Sequence, residues 1–431
     1  MLTRPLRFAM VTTFYPPYCT NEDGYDVQRW ARALKARGHG VDVIHDTDAY
    51  RLLTGHVPEI PFEDDGIRIH RLRSQRKFKS TLGVQQLGRP TTHRERLEEL
   101  LVGRYDVIHY HNISLIGGPG VWGIGSGIKL HTAHDFWLAC AGHNLWRNNE
   151  ELCDAKRCLR CVYKQGRPPQ LWRFTNKMKN MASHVDAFLM PSQSAADVHE
   201  QFGFDQPMQV APTISAISAP RLKPASGDTH DGRSFFFYSG PLDDIQGLDA
   251  VISQFGNDIE ADLRISGIGT DEAKLRRLAE GKDNVVFLGP LNEEKTRAER
   301  RNALAIVAPQ RGYEVFPNSI LEAFREGKPV VARNIGPNRD IISESGGGLV
   351  FNDATELRTQ LHVLANDQKY AADLGRKAFS HFAQHWREDV AIDAYFEIIR
   401  NIAQDKGLTD LITKIDDVPS RFVQGGANLS F

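Results

Sequence analysis

The chain has 431 residues, 41% hydrophobic and 25% charged, the balance of a soluble globular protein and a length that favours two domains. Its 53 lysines and arginines nearly cancel 54 aspartates and glutamates, which excludes a polycation that coats nucleic acid or anionic membrane but leaves room for a local basic patch. No apolar run approaches the ~18 residues of a membrane span and no secretory signal core opens the chain; with only five cysteines a disulfide framework is excluded and a cytoplasmic protein is expected.

Short β-rich runs alternate with amphipathic stretches almost from end to end, the pattern of α/β layers around parallel sheets. Residues 7–13 read as a buried strand, stopped by Phe14-Tyr15-Pro16-Pro17. Val27, Trp30, Ala31 and Leu34 fall on one face of a helix, and Gly38-His39-Gly40 ends it before a strand at 41–44. Further strands are predicted at 106–110, 128–132, 187–190 and 209–211. The segment 213–232 has prolines, small polar residues and no apolar period, and reads as a linker. A second run of strands follows at 235–238, 263–265, 285–288, 305–307, 329–332 and 349–351. Helices are predicted around 356–381 and 390–402, with a polar, poorly ordered tail from about Asp405. The expected division is 1–212, linker 213–232, 233–388, then 389–431.

The stretch 312–340 holds the densest candidate chemistry. Glu314 and Glu322 are separated by seven residues, with Pro317-Asn318-Ser319 turning the chain into a helix between them. The start of such a helix offers bare backbone N–H groups and the positive dipole end to phosphate oxygens. One carboxylate before the turn and one inside the first helical turn can accept hydrogen bonds from sugar hydroxyls. Equally, Ser319 to Glu322 fits a capping box, and Glu314 fits a solvated loop acid. Ser266-Gly267-Ile268-Gly269 follows a strand, but Glu272 stands where a dinucleotide fingerprint needs its third glycine. A nicotinamide or flavin cofactor is therefore not expected, and tight strand-to-helix packing is.

Four of the five cysteines, Cys140, Cys153, Cys158 and Cys161, fall within 22 residues in a polar excursion at about 140–161. Four thiolates would satisfy a structural zinc ion, with His143 as a replacement ligand; reduced or disulfide-paired thiols are the alternative. From Arg68 to Arg96 nine lysines and arginines, among them Arg71, Arg73, Arg76 and Lys77, face one acid, Glu95. A run of this kind is either a solvated face or a surface that attracts anionic lipid head groups at ~1 kcal/mol per well-placed cation. Nucleic acid is not expected, because no aromatic stacking pattern accompanies the charges.

Several motifs in order resemble the retaining family-four glycosyltransferases. Glu314 and Glu322-Ala323 with Gly327-Lys328-Pro329-Val330-Val331-Ala332 match the donor-site signature. Phe14-Tyr15-Pro16-Pro17, Asp23-Gly24 and Ala33-Leu34 through Arg37-Gly38-His39 to Val41 match the opening loop and helix, and Asp106-Val107-Ile108-His109 with His111-Asn112 the mid-domain strand. The resemblance implies a GT-B fold, two Rossmann-like α/β domains whose parallel sheets face a central cleft, with the last helix returning to the first domain. It implies transfer of a hexosyl group, with retention, from a UDP-, GDP- or ADP-linked sugar to an acceptor hydroxyl on a glycan, lipid-linked or small molecule, without a catalytic cofactor. In that scheme His134 and Glu314 lie by the reacting sugar, Glu322 binds the ribose, and the amides of Asn318, Ser319 and Ile320 with Gly24 meet the diphosphate. The acceptor lies against the first domain, which puts the basic stretch on the acceptor side and allows peripheral contact at the inner face of a membrane. Two family cations are replaced by Pro241 and Gln246, and a glycine by Asp23. Arg311, Arg333 and Arg339 are the candidate substitutes on the donor phosphates; without one, a nucleotide- or glycan-binding module with weakened turnover, or a zinc- and anion-binding interaction protein, is the alternative.

Overall fold

The computed structural model describes residues 5–19, 23–56, 64–75, 77–148, 150–154, 157–214 and 233–416. In the first half the strands are β1 (Arg7–Thr12), β2 (Gly40–Asp46), β3 (Arg68–Leu72), β4 (Val107–Tyr110), β5 (Ile128–Thr132), β6 (Trp146–Arg147), β7 (Glu151–Leu152), β8 (Ala187–Met190) and β9 (Met208–Val210). Seven of them form one parallel sheet in the order β3-β2-β1-β4-β5-β8-β9, while β6 and β7 make a separate antiparallel hairpin. The second half carries β10 (Phe235–Ser239), β11 (Asp262–Ser266), β12 (Val285–Gly289), β13 (Ala305–Ala308), β14 (Val330–Arg333) and β15 (Gly348–Phe351). These form a six-stranded parallel sheet in the order β12-β11-β10-β13-β14-β15.

Both sheets follow from the apolar runs. Every residue of β4, β5, β8 and β13 is buried, because helices cover both faces of a parallel sheet. Each sheet therefore has two cores, one per face.

Three expectations need correction. Residues 68–72, read only as part of a basic run, form β3 at the sheet edge, where arginines at Arg68 and Arg71 face water; charge on an edge strand blocks pairing with other chains. The helix expected over 356–381 is two, Ala354–Asn366 and Gln368–His385, broken where the Asp367 side chain accepts the Tyr370 N–H and caps the second. The tail expected from Asp405 instead includes a helix, Thr409–Asp416, that buries Leu411 and Ile415. Most of the linker expected at 213–232 lies outside the described residues.

The helix Glu388–Asp405 packs on the first sheet. Its Ile392, Ile399 and Ala403 join the core of Phe8, Trp30 and Leu34, and Tyr395 Oη meets His109 Nδ1 at 3.1 Å. The second half also touches the first beside β13: the Tyr313 ring lies edge-on to Phe136, centroids 6.2 Å apart, and Ser192 Oγ donates to the Val315 carbonyl at 3.1 Å.

Candidate active site

The loop after β13 runs into the helix Asn318–Arg325, whose Ile320, Leu321, Ala323 and Phe324 are buried against β13 and β14. That apolar anchoring fixes where the helix begins. Its N-cap is Pro317, which caps with no side chain, so the capping box anticipated from Ser319 to Glu322 does not form. The Pro317 carbonyl takes the Ile320 N–H at 3.0 Å, which removes one of the three amides expected to be open. Those of Asn318 and Ser319 have no acceptor among the described residues. Glu322 stands in the second turn rather than the first, paired with the buried Arg300 of the helix Glu293–Asn302.

Glu314, on the other side of the turn, accepts from Gln310 Nε2 at 3.1 Å, and the same amide reaches Asn338 Oδ1 at 3.3 Å. Burial pushes the Glu314 carboxyl up to about 7, against the pull of the Gln310 hydrogen bond. This acid is therefore shared between protonated and ionised forms near neutrality, and it can donate or accept.

The cations expected on the donor phosphates are engaged elsewhere. Arg311 donates to Asp249 Oδ2 at 2.7 Å and Asp244 Oδ1 at 3.2 Å. Arg333 donates to the Pro309 carbonyl and lies over the Phe351 ring, and Arg339 pairs with its neighbour Asp340. At the two replaced positions, the Pro241 carbonyl accepts from Tyr238 Oη and the Gln246 N–H closes a turn onto Asp243. Lys274, which sequence reasoning missed, pairs with Asp244 and Asp271. The Gly-x-Gly of this region does serve packing: a Cβ on Gly267 would stand 1.8 Å from the Gly240 carbonyl oxygen, and one on Gly269 2.4 Å from that of Leu242.

The wall contributed by the first domain is a network of histidines and acids. His134 Nε2 meets His111 Nδ1 at 2.9 Å, and its Nδ1 lies 3.4 Å from Asp26 Oδ2. Asn112 Nδ2 donates to Asp23 at 3.1 Å, and His143 Nδ1 pairs with Asp135 at 2.7 Å. Burial lowers His134, His111 and His109, which keeps their rings neutral, and raises Asp23. Of this network the sequence singled out His134 as a residue by the reacting sugar, and His143 only as a replacement metal ligand. His109, in β4, and His111, just past its end, were visible only as part of the mid-domain motif, but Asp26 and Asp135 carried no signal. Gly24 is demanded by close packing: a Cβ there would stand 2.3 Å from Cys19 Sγ and 3.0 Å from the Phe14 carbonyl oxygen. Phe136, next to this wall, and Tyr313, next to Glu314, are the rings in contact, so both sets of residues lie at the junction of the domains.

The family model described as glycosyltransferase family 4 matches residues 26–214, and that of the glycosyl transferases group 1 matches residues 222–381. Sucrose-phosphate synthase from Thermosynechococcus elongatus, 17% identical, superposes with a TM-score of 0.64 over 95% of this chain and 100% of its own. The chain belongs to the family-four glycosyltransferases, with the GT-B fold. A phosphatidyl-myo-inositol mannosyltransferase of Propionibacterium freudenreichii subsp. shermanii is 26% identical to this glycosyltransferase over 308 residues, 67% of this chain and 78% of that one. HepE of Anabaena, in complex with UDP, is 15% identical with a TM-score of 0.62 over 94% of this chain and 100% of its own.

Elsewhere on this glycosyltransferase, Arg71 lies over the Tyr18 ring, 5.4 Å from its centroid, and Arg73 is exposed. Arg76 and the Lys77 side chain lie outside the described residues. Among the described residues, Asp46, Asp48 and His93 form a buried trio whose ligand-type atoms all lie within 4.8 Å of one another. His93 Nε2 meets Asp48 Oδ2 at 2.9 Å, and burial lifts Asp46 to about 7. The cysteines expected to hold a metal, Cys140, Cys153, Cys158 and Cys161, line one cavity of about 20 Å³, and none of the chain's cysteines is disulfide-bonded. His143, the proposed replacement ligand, is instead committed to Asp135.

Proposed function

We propose that this glycosyltransferase moves a hexosyl group from a nucleotide diphosphosugar to an acceptor hydroxyl, with retention at the anomeric carbon. The carrying observation is the start of the helix Asn318–Arg325: two open amides at the positive dipole end, between Glu314 and Glu322, in a loop that meets the first domain. Diphosphate oxygens accept from Asn318 and Ser319, with Ile320 behind them in the same turn. Glu322, oriented by Arg300, accepts from the ribose hydroxyls. Glu314 exchanges a hydrogen bond with a hydroxyl of the donor sugar, and His134, held by His111 and Asp26, presents a neutral polar edge from the first domain. The leaving diphosphate takes the acceptor proton on the face it departs from, so no separate base pair is required. Closure of the domains excludes water and suppresses hydrolysis. The cysteines and any metal take no part in the transfer.

The acceptor in this reading is a glycan or a lipid-linked molecule approaching the first domain, in polysaccharide or glycoconjugate synthesis. The exposed Arg71 and Arg73, with the exposed Phe78 a few residues on in the sequence, suit an anionic head group, and the name of the mannosyltransferase relative fits such an acceptor. Among the described residues no helix is long and apolar enough to cross a membrane, so the contact proposed is peripheral, from the cytoplasmic side. A thermal-shift series with UDP-, GDP- and ADP-sugars identifies the donor, because a ligand of the native state raises Tm. Glu322→Ala is expected to raise the nucleotide Kd about tenfold or more, the worth of a charged hydrogen bond; an unchanged Kd rejects the ribose role.

One observation favours a second reading. With Arg311 and Lys274 both neutralised by acids, the diphosphate gains little from charge, as in a nucleotide- or glycan-binding protein of weakened turnover. Nucleotide binding with neither product nor slow donor hydrolysis, across a panel of acceptors, selects it.

A further inference from the structure

We propose that Cys140, Cys153, Cys158 and Cys161 hold one structural zinc ion, and that this ion braces Trp146 against the loop carrying Glu314. All four cysteines line the same small cavity, with Leu145, Trp146, Arg157 and Val162 among its other walls. The elements around it have little of their own to hold them. The hairpin β6–β7 has two residues per strand, and the helix Cys158–Lys164 buries only Val162. Segments this short, with this little apolar burial, do not order themselves in water, and a metal supplies the missing free energy.

The local backbone is shaped for thiolates. The Asn148 N–H donates to Cys161 Sγ at 3.4 Å, and three residues of this excursion, His143, Leu145 and Asn148, adopt positive φ (76°, 50° and 55°) to bend the chain round the cavity. Binding Zn²⁺ releases four thiol protons to solvent and leaves a site of net charge −2, which the Arg157 guanidinium on the cavity wall and Arg173, felt electrostatically by Cys140 and Cys158, partly offset. A zinc–sulfur distance of about 2.3 Å in a tetrahedron sets sulfurs roughly 3.8 Å apart. No three of these thiols stand as close together as the Asp46–Asp48–His93 trio does, so metal binding draws the side chains inward across the cavity. With four thiolates the shell is closed and no position remains for a reacting water.

The zinc matters to the rest of the molecule through Trp146. Its main-chain carbonyl accepts from Gln165 Nε2 at 3.3 Å, which ties β6 to the far end of the Cys158–Lys164 helix. Its ring lies across the domain junction, with Cε3 4.0 Å from where a Cβ would stand on Gly312, two residues before Glu314. Ile245, on the loop that lacks the family's cations, packs against the same face of Gly312, its Cδ1 2.6 Å from that Cβ position. The knuckle is thus a prop set by the first domain under the donor loop of the second. The metal assignment is independent of sugar transfer, whereas the importance of the prop rests on the donor-site reading.

Elemental analysis of full-length protein, expressed with zinc in the medium and purified without chelator, is expected to give about one zinc per chain. Less than about a tenth of an equivalent, or an intact mass showing disulfides in place of metal, overturns the site. The double variant Cys158→Ser/Cys161→Ser is expected to lose the zinc while far-UV circular dichroism stays near wild type. In the wild-type protein stripped with a chelator, amide exchange over residues 310–316 is expected to speed up about tenfold and to recover on adding zinc chloride. Unchanged exchange there with zinc fully removed overturns the bracing role and leaves the donor reading untouched; failure of every nucleotide to bind would reject that reading and leave the zinc count standing.

Discussion

Glu314 sets a testable balance at the scale of one side chain. Its burial raises the carboxyl to about 7 from an ordinary 4.5. In the unfolded chain the group ionises at that lower value, so between about pH 5 and 7 the unfolded state has already lost the proton that the native state keeps. The stabilising contribution is therefore complete below the ordinary carboxyl range and is lost as pH rises through 7. Glu314→Gln keeps the Gln310 contact without the charge. Urea unfolding of this variant at pH 5 and pH 8 is expected to show a loss of stability smaller than wild type by up to about 3 kcal/mol; an equal loss in both proteins rejects the buried acid as its source. Glu314 and Glu322 were legible because a fixed spacing around a helix start is local in sequence. Arg300 and Asp26, which orient Glu322 and His134, were not, because their partners arrive from 22 and 108 residues away, and distance along the chain hides contact.

At the scale of elements, the close approach of two strand ends fixes the shape of the loops after β10 and β11. Gly267, at the end of β11, has φ +147° and lies against the Gly240 carbonyl that follows β10. Gly267→Ala forces backbone to move and is expected to cost about 3 kcal/mol in denaturant unfolding, well above an ordinary surface substitution. A loss under about 0.5 kcal/mol would mean that the two loops separate freely. Strands buried on both faces were readable from short β-rich stretches, wholly apolar in β8 and β13 and interrupted by His109 in β4 and by Lys129 and His131 in β5, and all four were placed within a residue or two. β3 was not, since an edge strand keeps water on one side and Arg68 and Arg71 there drowned the apolar spacing of Ile67 and Ile69. The break at Asp367 was equally hidden, because the residues on both sides favour helix and only the capping geometry separates them.

Across the whole molecule, the fold and family were carried by several short motifs in a fixed order, while the contacts that join the domains had no such marker. The first domain's core is completed from the far end of the chain, by Ile392, Ile399 and Ile415 packing on Phe8 and Val27. Ile399→Ala opens a cavity in that seam and is expected to cost about 2–5 kcal/mol. Circular dichroism melts that match wild type would place the seam outside the cooperative core. This closure bears on how the protein is made. The sheet of the first domain leaves the ribosome with one face covered only in part, by the helix Asp23–Ala36, and roughly 200 residues separate Ile214 from Ile415. At about 5–20 residues per second, that surface waits some 10–40 s for its cover. The second domain, translated later, has all its own parts in hand sooner. The half that emerges first is thus the last to mature, and it is the one a chaperone would be called on to shield.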